Sequence, residues 1–522
     1  MPGSPGNRTY NRYGGGSGGG VVLIVARDKV TIDGTVDARG QSLDNDNNEP
    51  GSGGTVNIVC KTIAGTGTVD ATGGRHDVAN KYYPTCVGAG GRIAVHYDPD
   101  AQAASEDPVA ISWKCNSQVC KETVNHCCRA ETGIGTVWFP DTQFLGDRFG
   151  AGSLTSGEYH FGSWTGWSPA GVVADGPDVN VRLVSDGNDF TINGDVIIRN
   201  GASLGFGGGT NCCTRPTIYT PFSPAGKGAV VRVGGGVIME APERSGLRNE
   251  LHVFAGHGCS VVAEDVGGVL EIGRQLRLGT NSWIYTASEP YFGESVKVTV
   301  GGKVTIDPDA GFDVSGLGYS GGSVPAREWH NEGYGPGAIT GRGRGGAYGG
   351  IGGCALSKTD KFPPPGYGTS PDGVPLWQIP SKPGSGSSLG DTGFGGPGGG
   401  AIWIETKSSF CLAGSLIADG QGSTSGSWTS SGSGGAVYIK CRHWRPTETA
   451  VVRAQGGTKS SYGGGGCVAI WRAYDHDLTP TNERAYVSAP AGGFNEKASQ
   501  QATDGTIYWG DLPRPGITVL VR

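Results

Sequence analysis

The chain has 522 residues, of which 98 are glycine and 30 are proline, and its formal net charge is −6. It contains no long basic run and no stretch of about 18 consecutive apolar residues, so charge and hydropathy give no reason to expect a nucleic-acid partner or a membrane-spanning helix. With so much glycine, the deciding question is whether the sequence is periodic or merely low in complexity.

A seven-residue phrase that occurs twice near the N-terminus shows a period. Residues 34–40 read GTVDARG and residues 67–73 read GTVDATG. Each copy follows short runs of β-branched residues that are separated by glycine, and GGRIAVHY at 90–97 begins a third round of the same kind. Runs of this length and composition predict β-strands.

The same block is written again near the C-terminus. Residues 398–422 match the first round, which begins at residue 18, at an offset of 380. Further matches at slightly different offsets extend the correspondence, so that about 14–141 recurs at about 394–511. The middle, 146–294, is less regular but also predicts strands between Gly and Asn/Asp turns. The Gly-, Ser- and Pro-rich stretch 316–396 predicts a long loop insertion.

The repeated phrase predicts a stack of strands. A strand that cannot bury its inner face alone stacks on its copy in the next round, and glycine at the corners allows the turns. We therefore expect an elongated all-β protein in which Val36 lies over Val69 inside, while Asp37 and Asp70 face outward. The alternative, in which these two carboxylates act chemically, stays open.

The run GG-x-[IV]-x-[IV], then G-[TS]-[IVL]-x-A-x-GG, then GGGG-[RC]-[IV]-A-[IV], resembles the glycine-rich repeat blocks of large surface and secreted proteins of bacteria and protists. The resemblance covers about 14–141 and 296–511. It implies a right-handed parallel β-helix (a β-solenoid, similar in backbone to the pectin-lyase-like fold) and a structural or adhesive role. The N-terminal copy departs from the pattern, because it lacks an opening strand like 296–307 and the Gly-rich loop that follows it.

We expect three segments along the chain. Residues 1–145 form an N-terminal Gly-rich solenoid block, and residues 146–294 form a divergent β-rich segment. Residues 295–522 form a C-terminal solenoid block that carries the long loop 316–396.

The 13 cysteines favour an oxidising compartment, so we expect disulfides that staple irregular loops. Sequence spacing does not give their connectivity. The candidates are Cys60, Cys86, Cys115, Cys120, Cys127, Cys128, Cys212, Cys213, Cys259, Cys354, Cys411, Cys441 and Cys467. A zinc site among Cys115, Cys120, His126, Cys127 and Cys128 is an alternative, although their spacing matches no usual ligand pair.

Two polar segments near the N-terminus are candidate modification or ion sites. Asn7 begins an N-x-S/T sequon, which predicts glycosylation in a flexible flank. Asp44, Asp46 and Asn48 offer oxygen ligands for Ca²⁺, but they lack the Gly and the distant Glu of an EF-hand loop. An acidic, solvated turn is the default interpretation, with Ca²⁺ binding as the alternative, and we predict no cofactor.

Aromatic and proline residues suggest two kinds of contact with sugars. Trp403 and Tyr438 take outward positions if the aliphatic residues beside them point inward, so they would either stack on sugar faces or cover a neighbouring loop. Pro363–Pro365 favours polyproline II geometry, and such prolines are hydroxylated and glycosylated in some extracellular matrices.

The two ends of the repeat array suggest self-association. The chain ends in GITVLVR (516–522), a strand-like apolar run that contains Ile517, Val519 and Val521, and the first block lacks an opening strand. An open strand edge at each end seeks a partner. We therefore expect the C-terminal strand of one subunit to dock on the first round of the next, and this heterologous contact would produce a filament.

These observations predict a structural subunit of a glycosylated filament or appendage outside the cell or at its surface. No catalytic residue is predicted. One alternative is a polysaccharide-active lyase or hydrolase, which needs paired carboxylates, or a carboxylate with Arg or Lys, in a flank groove. The other alternative is a carbohydrate-binding adhesin that uses exposed aromatic residues.

Overall fold

The protein is all-β, as the sequence predicts. The computed structural model describes residues 1–6, 15–43, 50–75, 88–116, 134–150, 154–164, 166–185, 188–207, 228–256, 266–322, 333–338, 344–353, 377–388, 395–423, 430–459, 461–473, 487–493 and 501–513. Within these ranges the only helix is α1 (Pro99–Ala103), whose first turn is capped by the Asp98 carboxylate. No helix in the described part of the chain has the length and hydropathy needed to cross a bilayer.

Strands up to residue 207 follow the aliphatic runs between glycines. They are β1 (Val21–Val25), β2 (Lys29–Thr31), β3 (Thr35–Asp37), β4 (Thr55–Val59), β5 (Thr62–Ala64), β6 (Thr68–Asp70), β7 (Arg92–His96), β8 (Ser112–Lys114), β9 (Thr136–Phe139), β10 (Arg148–Phe149), β11 (Leu154–Phe161), β12 (Val172–Asp175), β13 (Asn180–Val184), β14 (Phe190–Ile192), β15 (Val196–Arg199) and β16 (Ser203–Gly207).

Strands after residue 228 continue the same scheme and include the predicted middle segment. They are β17 (Val230–Val233), β18 (Val237–Met239), β19 (Asn249–Phe254), β20 (Val266–Ile272), β21 (Leu276–Leu278), β22 (Ser282–Ala287), β23 (Ser295–Val300), β24 (Val304–Ile306), β25 (Gly311–Asp313), β26 (Ala401–Thr406), β27 (Ser409–Leu412), β28 (Ser415–Ile417), β29 (Ala436–Lys440), β30 (His443–Pro446), β31 (Val451–Arg453), β32 (Cys467–Ala473), β33 (Val487–Ser488) and β34 (Thr506–Leu512).

Contacts divide the chain into two compact units. The first comprises Met1–Asn188 with Ile198–Phe206, and the second comprises Asp189–Ile197 with Gly207–Arg522. The division into three segments that the sequence suggests stays a prediction.

In the first unit, β1, β4, β7, β9, β11 and β13 lie side by side in that order, and β3, β6 and β8 form a second row that joins at β11. β2 pairs with β5, and β10 pairs with β12. These paired strands run parallel.

The second unit has three long parallel sheets. Sheet I contains β19, β22, β25, β28, β31 and β33; sheet II contains β18, β21, β24, β27 and β30; sheet III contains β14, β17, β20, β23, β26, β29, β32 and β34. The chain visits them in the order III, II, I from β17 to β31, and we call one such passage a round. Each strand therefore lies beside its counterpart from the next round, which is the arrangement that the repeats predict.

The repeated phrase of the opening block is confirmed as a ladder. Val36 pairs with Val69 and Asp37 with Asp70 in parallel register. Each carboxylate accepts a hydrogen bond from the side chain two positions later. Arg39 Nη2 donates to Asp37 Oδ2 at 2.7 Å, and Thr72 Oγ1 donates to Asp70 Oδ1 at 2.8 Å. Arg39 and Thr72, the one position at which the two phrases differ, therefore both donate to the preceding aspartate. This shared hydrogen bond favours a structural role for the two carboxylates.

The offset of 380 residues also holds in the coordinates. β1, β2 and β3 begin at residues 21, 29 and 35, and β26, β27 and β28 begin at residues 401, 409 and 415. The inner column of the second copy contains Ile404, Ile439 and Ile470, which are paired in register and 0% exposed. Repetition of the sequence therefore places like side chains on top of one another.

Each round of the repeat blocks closes at a glycine pair. The amide of Gly435 donates to the carbonyl of Ala418 at 2.7 Å, and this bond joins the start of one round to the end of the preceding round. A Cβ on Gly435 would lie 2.0 Å from the carbonyl oxygen of Gly400 in the neighbouring round. Only glycine allows this backbone approach. The same contacts recur at Gly54, Gly91, Gly466 and Gly505.

We expect Gly435→Ala to destabilise the second unit by about 1–3 kcal/mol, the usual cost of forcing atoms into a packed core. The measurement is thermal or denaturant unfolding. Gly146→Ala is the matched control, because a Cβ there would meet its nearest atom at 3.9 Å. Equal unfolding midpoints for the two variants would contradict this account of the glycine pair.

Candidate functional surfaces

The first strand of the first unit exposes apolar side chains. β1 is the terminal strand of its sheet, and Val21, Leu23 and Val25 are 52%, 62% and 68% exposed. Its inward residues Val22 and Ile24 are only half-buried, although their partners on β4 are fully buried. A round without a neighbour on one side exposes both its edge and part of its interior.

The last described strand of the second unit shows the same feature. β34 is the terminal strand of sheet III, and it pairs with β32. Ile507 lies in register with Val468, yet Ile507 is 41% exposed whereas Val468 is 0% exposed. Trp509, which continues the inner column beyond Ile470, is half-buried. Exposed apolar strands at sheet edges are sites of association.

A buried carboxylate–imidazole–guanidinium cluster lies on β11 and β13 in the first unit. Glu158 Oε1 is 2.8 Å from His160 Nε2, and Glu158 Oε2 is 3.3 Å from Arg182 Nη1. Burial raises the pKa of the Glu158 carboxyl, but the hydrogen bonds and charges of His160 and Arg182 outweigh it, so the pKa is lowered. The cluster is buried, so it serves stability rather than access to a ligand.

A related cluster in the second unit is partly exposed and also contains aromatic rings. Glu250 Oε2 is 3.1 Å from His252 Nε2, and the Tyr285 hydroxyl donates to Glu250 Oε1 at 3.4 Å. The His252 ring stacks on Tyr285 at 4.6 Å between centroids, and the Arg248 guanidinium lies 4.5 Å from the Trp283 ring centroid. We call these five residues the aromatic–acid cluster.

The aromatic–acid cluster combines groups that bind polar ligands. Burial raises the pKa of Glu250, but the hydrogen bond with His252, with further help from Arg248 and Tyr285, outweighs it and lowers the pKa. Glu250 is therefore a carboxylate at neutral pH. A ring face beside a carboxylate, an imidazole and a guanidinium suits a sugar or another ligand with both apolar and hydroxyl-bearing faces.

An open groove of about 360 Å³ lies where sheet III turns into sheet II in the second unit. It is lined by Asp195, Gly236, Arg274, Gln275, Gly302 and Lys303. The groove therefore holds one carboxylate and two cations, the set that the enzyme hypothesis requires. Asp195 Oδ1 already accepts the Gly236 amide at 2.6 Å, which assigns this carboxylate to the turn.

Trp403 and Tyr438 take the outward positions that the sequence predicts, but they are not exposed. Trp403 is 7% and Tyr438 is 3% exposed, and they pack with residues that include Ile379 and Trp471. Ile379 belongs to the loop segment 377–388, and the Trp471 indole donates to the carbonyl of Gln378 at 2.7 Å. These aromatic residues therefore cover a loop and are unavailable for stacking on sugars.

Five candidate cysteines lie within the described residues, and no disulfide joins any two of them. They are Cys60, Cys115, Cys411, Cys441 and Cys467. Burial raises the pKa of the Cys115 thiol, and it raises that of Cys441 to about 12. Such thiols are protonated and unreactive at neutral pH. Within the described residues, the in-register stacking of strands holds successive rounds together.

Other candidates fall outside the described residues. They are Asn7, Asp44, Asp46, Asn48, Pro363–Pro365, Ile517, Val519, Val521 and the remaining cysteines Cys86, Cys120, Cys127, Cys128, Cys212, Cys213, Cys259 and Cys354, with His126. Among the residues that are described, no group of three or more His, Cys, Asp or Glu side chains is placed to hold a metal ion.

Sequence reasoning missed both carboxylate–imidazole clusters, although a signal was present. The motif Glu-x-His occurs at 158–160 and again at 250–252. Alternation along a strand puts the two side chains of such a motif on the same face. Arg182 and Tyr285 come from neighbouring strands, so the complete clusters become visible only when the strand register is known.

We expect Glu158→Gln to cost about 3 kcal/mol at neutral pH, because it removes one member of a buried ion pair. The native pKa is lowered, so the carboxylate's contribution is present above its unfolded pKa and is lost as the pH falls through the native pKa. Thermal unfolding should therefore separate variant from wild type at pH 7, and the difference should be smaller at pH 3. Asp37→Asn, which disrupts an exposed pair, is the control with little effect at either pH. A pH-independent difference for Glu158→Gln would refute the assignment.

Comparisons with known proteins indicate no function for this chain. No protein-family model matches the chain, and neither the curated proteins nor the solved structures contain a significant match.

Proposed function

We propose that the chain is a structural subunit of an extracellular or cell-surface filament or appendage, and that its subunits associate head to tail. The observation that carries the proposal is the pair of terminal strands, β1 and β34, that expose aliphatic side chains. The inner-column residues Val22, Ile24 and Ile507 are partly or largely exposed, whereas the residues paired with them one strand further in, Val56, Ile58 and Val468, are fully buried. Burying them in a partner is favourable by about 25 cal/mol for each Å² of apolar surface.

The proposed architecture is a right-handed parallel β-helix. Its support is the repeated passage of the chain through three parallel sheets in the second unit and the in-register ladders of both repeat blocks. A solenoid of this kind has two open ends that must be capped or paired. Self-association through those ends is the simplest use of the fold.

The extracellular location and the glycosylation rest on sequence features. The sequon at Asn7, Pro363–Pro365 and the number of cysteines support them. No disulfide joins two of the five described cysteines, so they do not add to that support. Intact-mass measurement of the native material before and after deglycosylation tests this part of the proposal.

A second candidate function is carbohydrate binding at the aromatic–acid cluster. Trp283 is half-buried, and the positions beside it on the next two strands of sheet I are Gly311 and Ser415. Neither position carries a large side chain that could cover the indole. Stacking of a sugar ring on the indole, with Glu250 and Arg248 beside it, would fix an extended glycan to this face.

We expect Leu23→Lys to weaken association at least about ten-fold, the effect of losing a buried apolar contact worth 1.4 kcal/mol. Sedimentation velocity and negative-stain imaging measure it. Ala103→Lys adds the same charge at an exposed position on α1 and should assemble normally. A wild-type protein that stays monomeric at its highest soluble concentration would contradict the filament proposal.

For the second candidate, we expect Trp283→Ala to abolish retardation of the protein in gels that contain soluble polysaccharide. Phe292→Ala is the control, because Phe292 is a 39% exposed aromatic residue of the same unit outside the cluster. Equal mobility of both variants and wild type in every gel would rule out glycan binding at this cluster.

A further inference from the structure

One backbone hydrogen bond recurs wherever a repeat strand lies on its predecessor. The amide at the start of each strand donates to the carbonyl of the glycine that precedes the neighbouring strand. The distances are 3.0 Å for Thr55 to Gly20, 2.8 Å for Arg92 to Gly54, 3.1 Å for Thr136 to Gly91, 3.0 Å for Ala436 to Gly400, 2.9 Å for Cys467 to Gly435 and 3.0 Å for Thr506 to Gly466. This bond fixes the register between rounds.

Gly20 lacks the close backbone contact that the equivalent glycines make with a preceding round. At the equivalent positions, Gly54, Gly91 and Gly435, a Cβ would lie 2.0 Å, 2.1 Å and 2.0 Å from a glycine carbonyl of the preceding round. A Cβ on Gly20 would meet nothing within 4 Å. The space beside Gly20 is the place where such a carbonyl lies in the other rounds.

The second unit presents a carbonyl of the required kind. Gly505 stands immediately before β34, where Gly466 stands before β32. In the described part of the chain, the Gly505 carbonyl accepts no bond of this series, and the Val21 amide donates none. The two groups are the unmatched acceptor and donor of one repeating pattern.

We infer that β34 of one subunit pairs in parallel with β1 of the next, with Thr506 opposite Val21. The inference rests on the proposed head-to-tail association and adds which strands meet and in what register. The Val21 amide donates to the Gly505 carbonyl of the neighbouring copy, and Gly20 lies against that carbonyl. The partner is therefore a second copy of this chain.

The inferred register places apolar side chains of β1 against apolar side chains of β34. The register within each unit pairs Thr55 with Val21 and Thr506 with Cys467. Continuing it across the junction sets Val22 against Ile507 and Ile24 against Trp509 in the inner column. On the outer face it sets Leu23 against Tyr508. A slip by one residue would turn the aliphatic residues of β1 to the wrong face.

Cysteine pairing tests this register. Val21→Cys and Thr506→Cys, made in separate proteins and mixed under mild oxidation, should form a dimer that reductant dissolves, because opposed strand positions lie about 5 Å apart, within disulfide range. Leu23→Cys mixed with Thr506→Cys is the control. It lies two positions out of register on the same face, about 8 Å away, and should not cross-link. Wild type and the single variants account for native thiols.

Gly20→Ala tests the same junction without a new bond. Its Cβ meets open space in the single chain, so thermal unfolding of the dissociated subunit should match wild type. In the proposed junction the same Cβ would lie about 2 Å from a carbonyl oxygen, as it would at Gly54. We therefore expect association to fall at least ten-fold for Gly20→Ala and to be unchanged for Gly146→Ala.

The outcomes distinguish a failure of the proposed β34–β1 junction from a failure of the proposed function. Wild type that assembles, together with in-register cross-linking and loss of assembly in Gly20→Ala, supports both. Wild type that assembles while Gly20→Ala assembles equally well, or while the out-of-register pair cross-links instead, overturns the β34–β1 junction and leaves the filament proposal standing. Wild type that never assembles overturns both.

Discussion

The contact of one backbone with the next at the glycine pairs is the constraint on which the repeat blocks depend. A carbonyl oxygen of one round lies where a Cβ of the next would stand, as Gly400 and Gly435 show. This close approach sets the spacing and register of the strands that follow each pair. The aliphatic columns are then a consequence, because residues at equal distances from the glycines must meet. In the described rounds, the abundance of glycine is therefore a requirement of stacking.

The outward faces of the rounds differ in whether other residues cover them. In the second copy of the block, Trp403 and Tyr438 are sealed beneath residues that include those of segment 377–388. In the first copy, Leu23 takes the position of Trp403 and stays 62% exposed. Polar side chains elsewhere serve the turns, as Asp37 and Asp195 do. The same repeat therefore yields a covered face in one unit and an apolar, accessible face in the other.

Much of the fold was predictable because it depends on local repetition. The ladder of Val36 on Val69, the strands of the middle segment and the correspondence of β1 with β26 all follow from spacing and alternation. The burial of Trp403 was not decided by the sequence, because the residues that cover it include a loop segment with no periodicity. The Glu158 cluster required Arg182 from another strand. The cysteines illustrate a further limit, since the equal spacing of Cys60–Cys86 and Cys441–Cys467 says nothing about whether sulfur atoms meet.

Parallel stacking gives every repeat strand a direction, and the two terminal edges are chemically unlike. The edge at β1 offers the amide hydrogen of Val21, whereas the edge at β34 offers the carbonyl oxygen of Gly505. Two β1 edges cannot satisfy one another through this bond, and neither can two β34 edges. A two-fold symmetric pair cannot form this bond, whereas the β1 edge of one copy can form it with the β34 edge of another, so assembly through the proposed junction would have polarity.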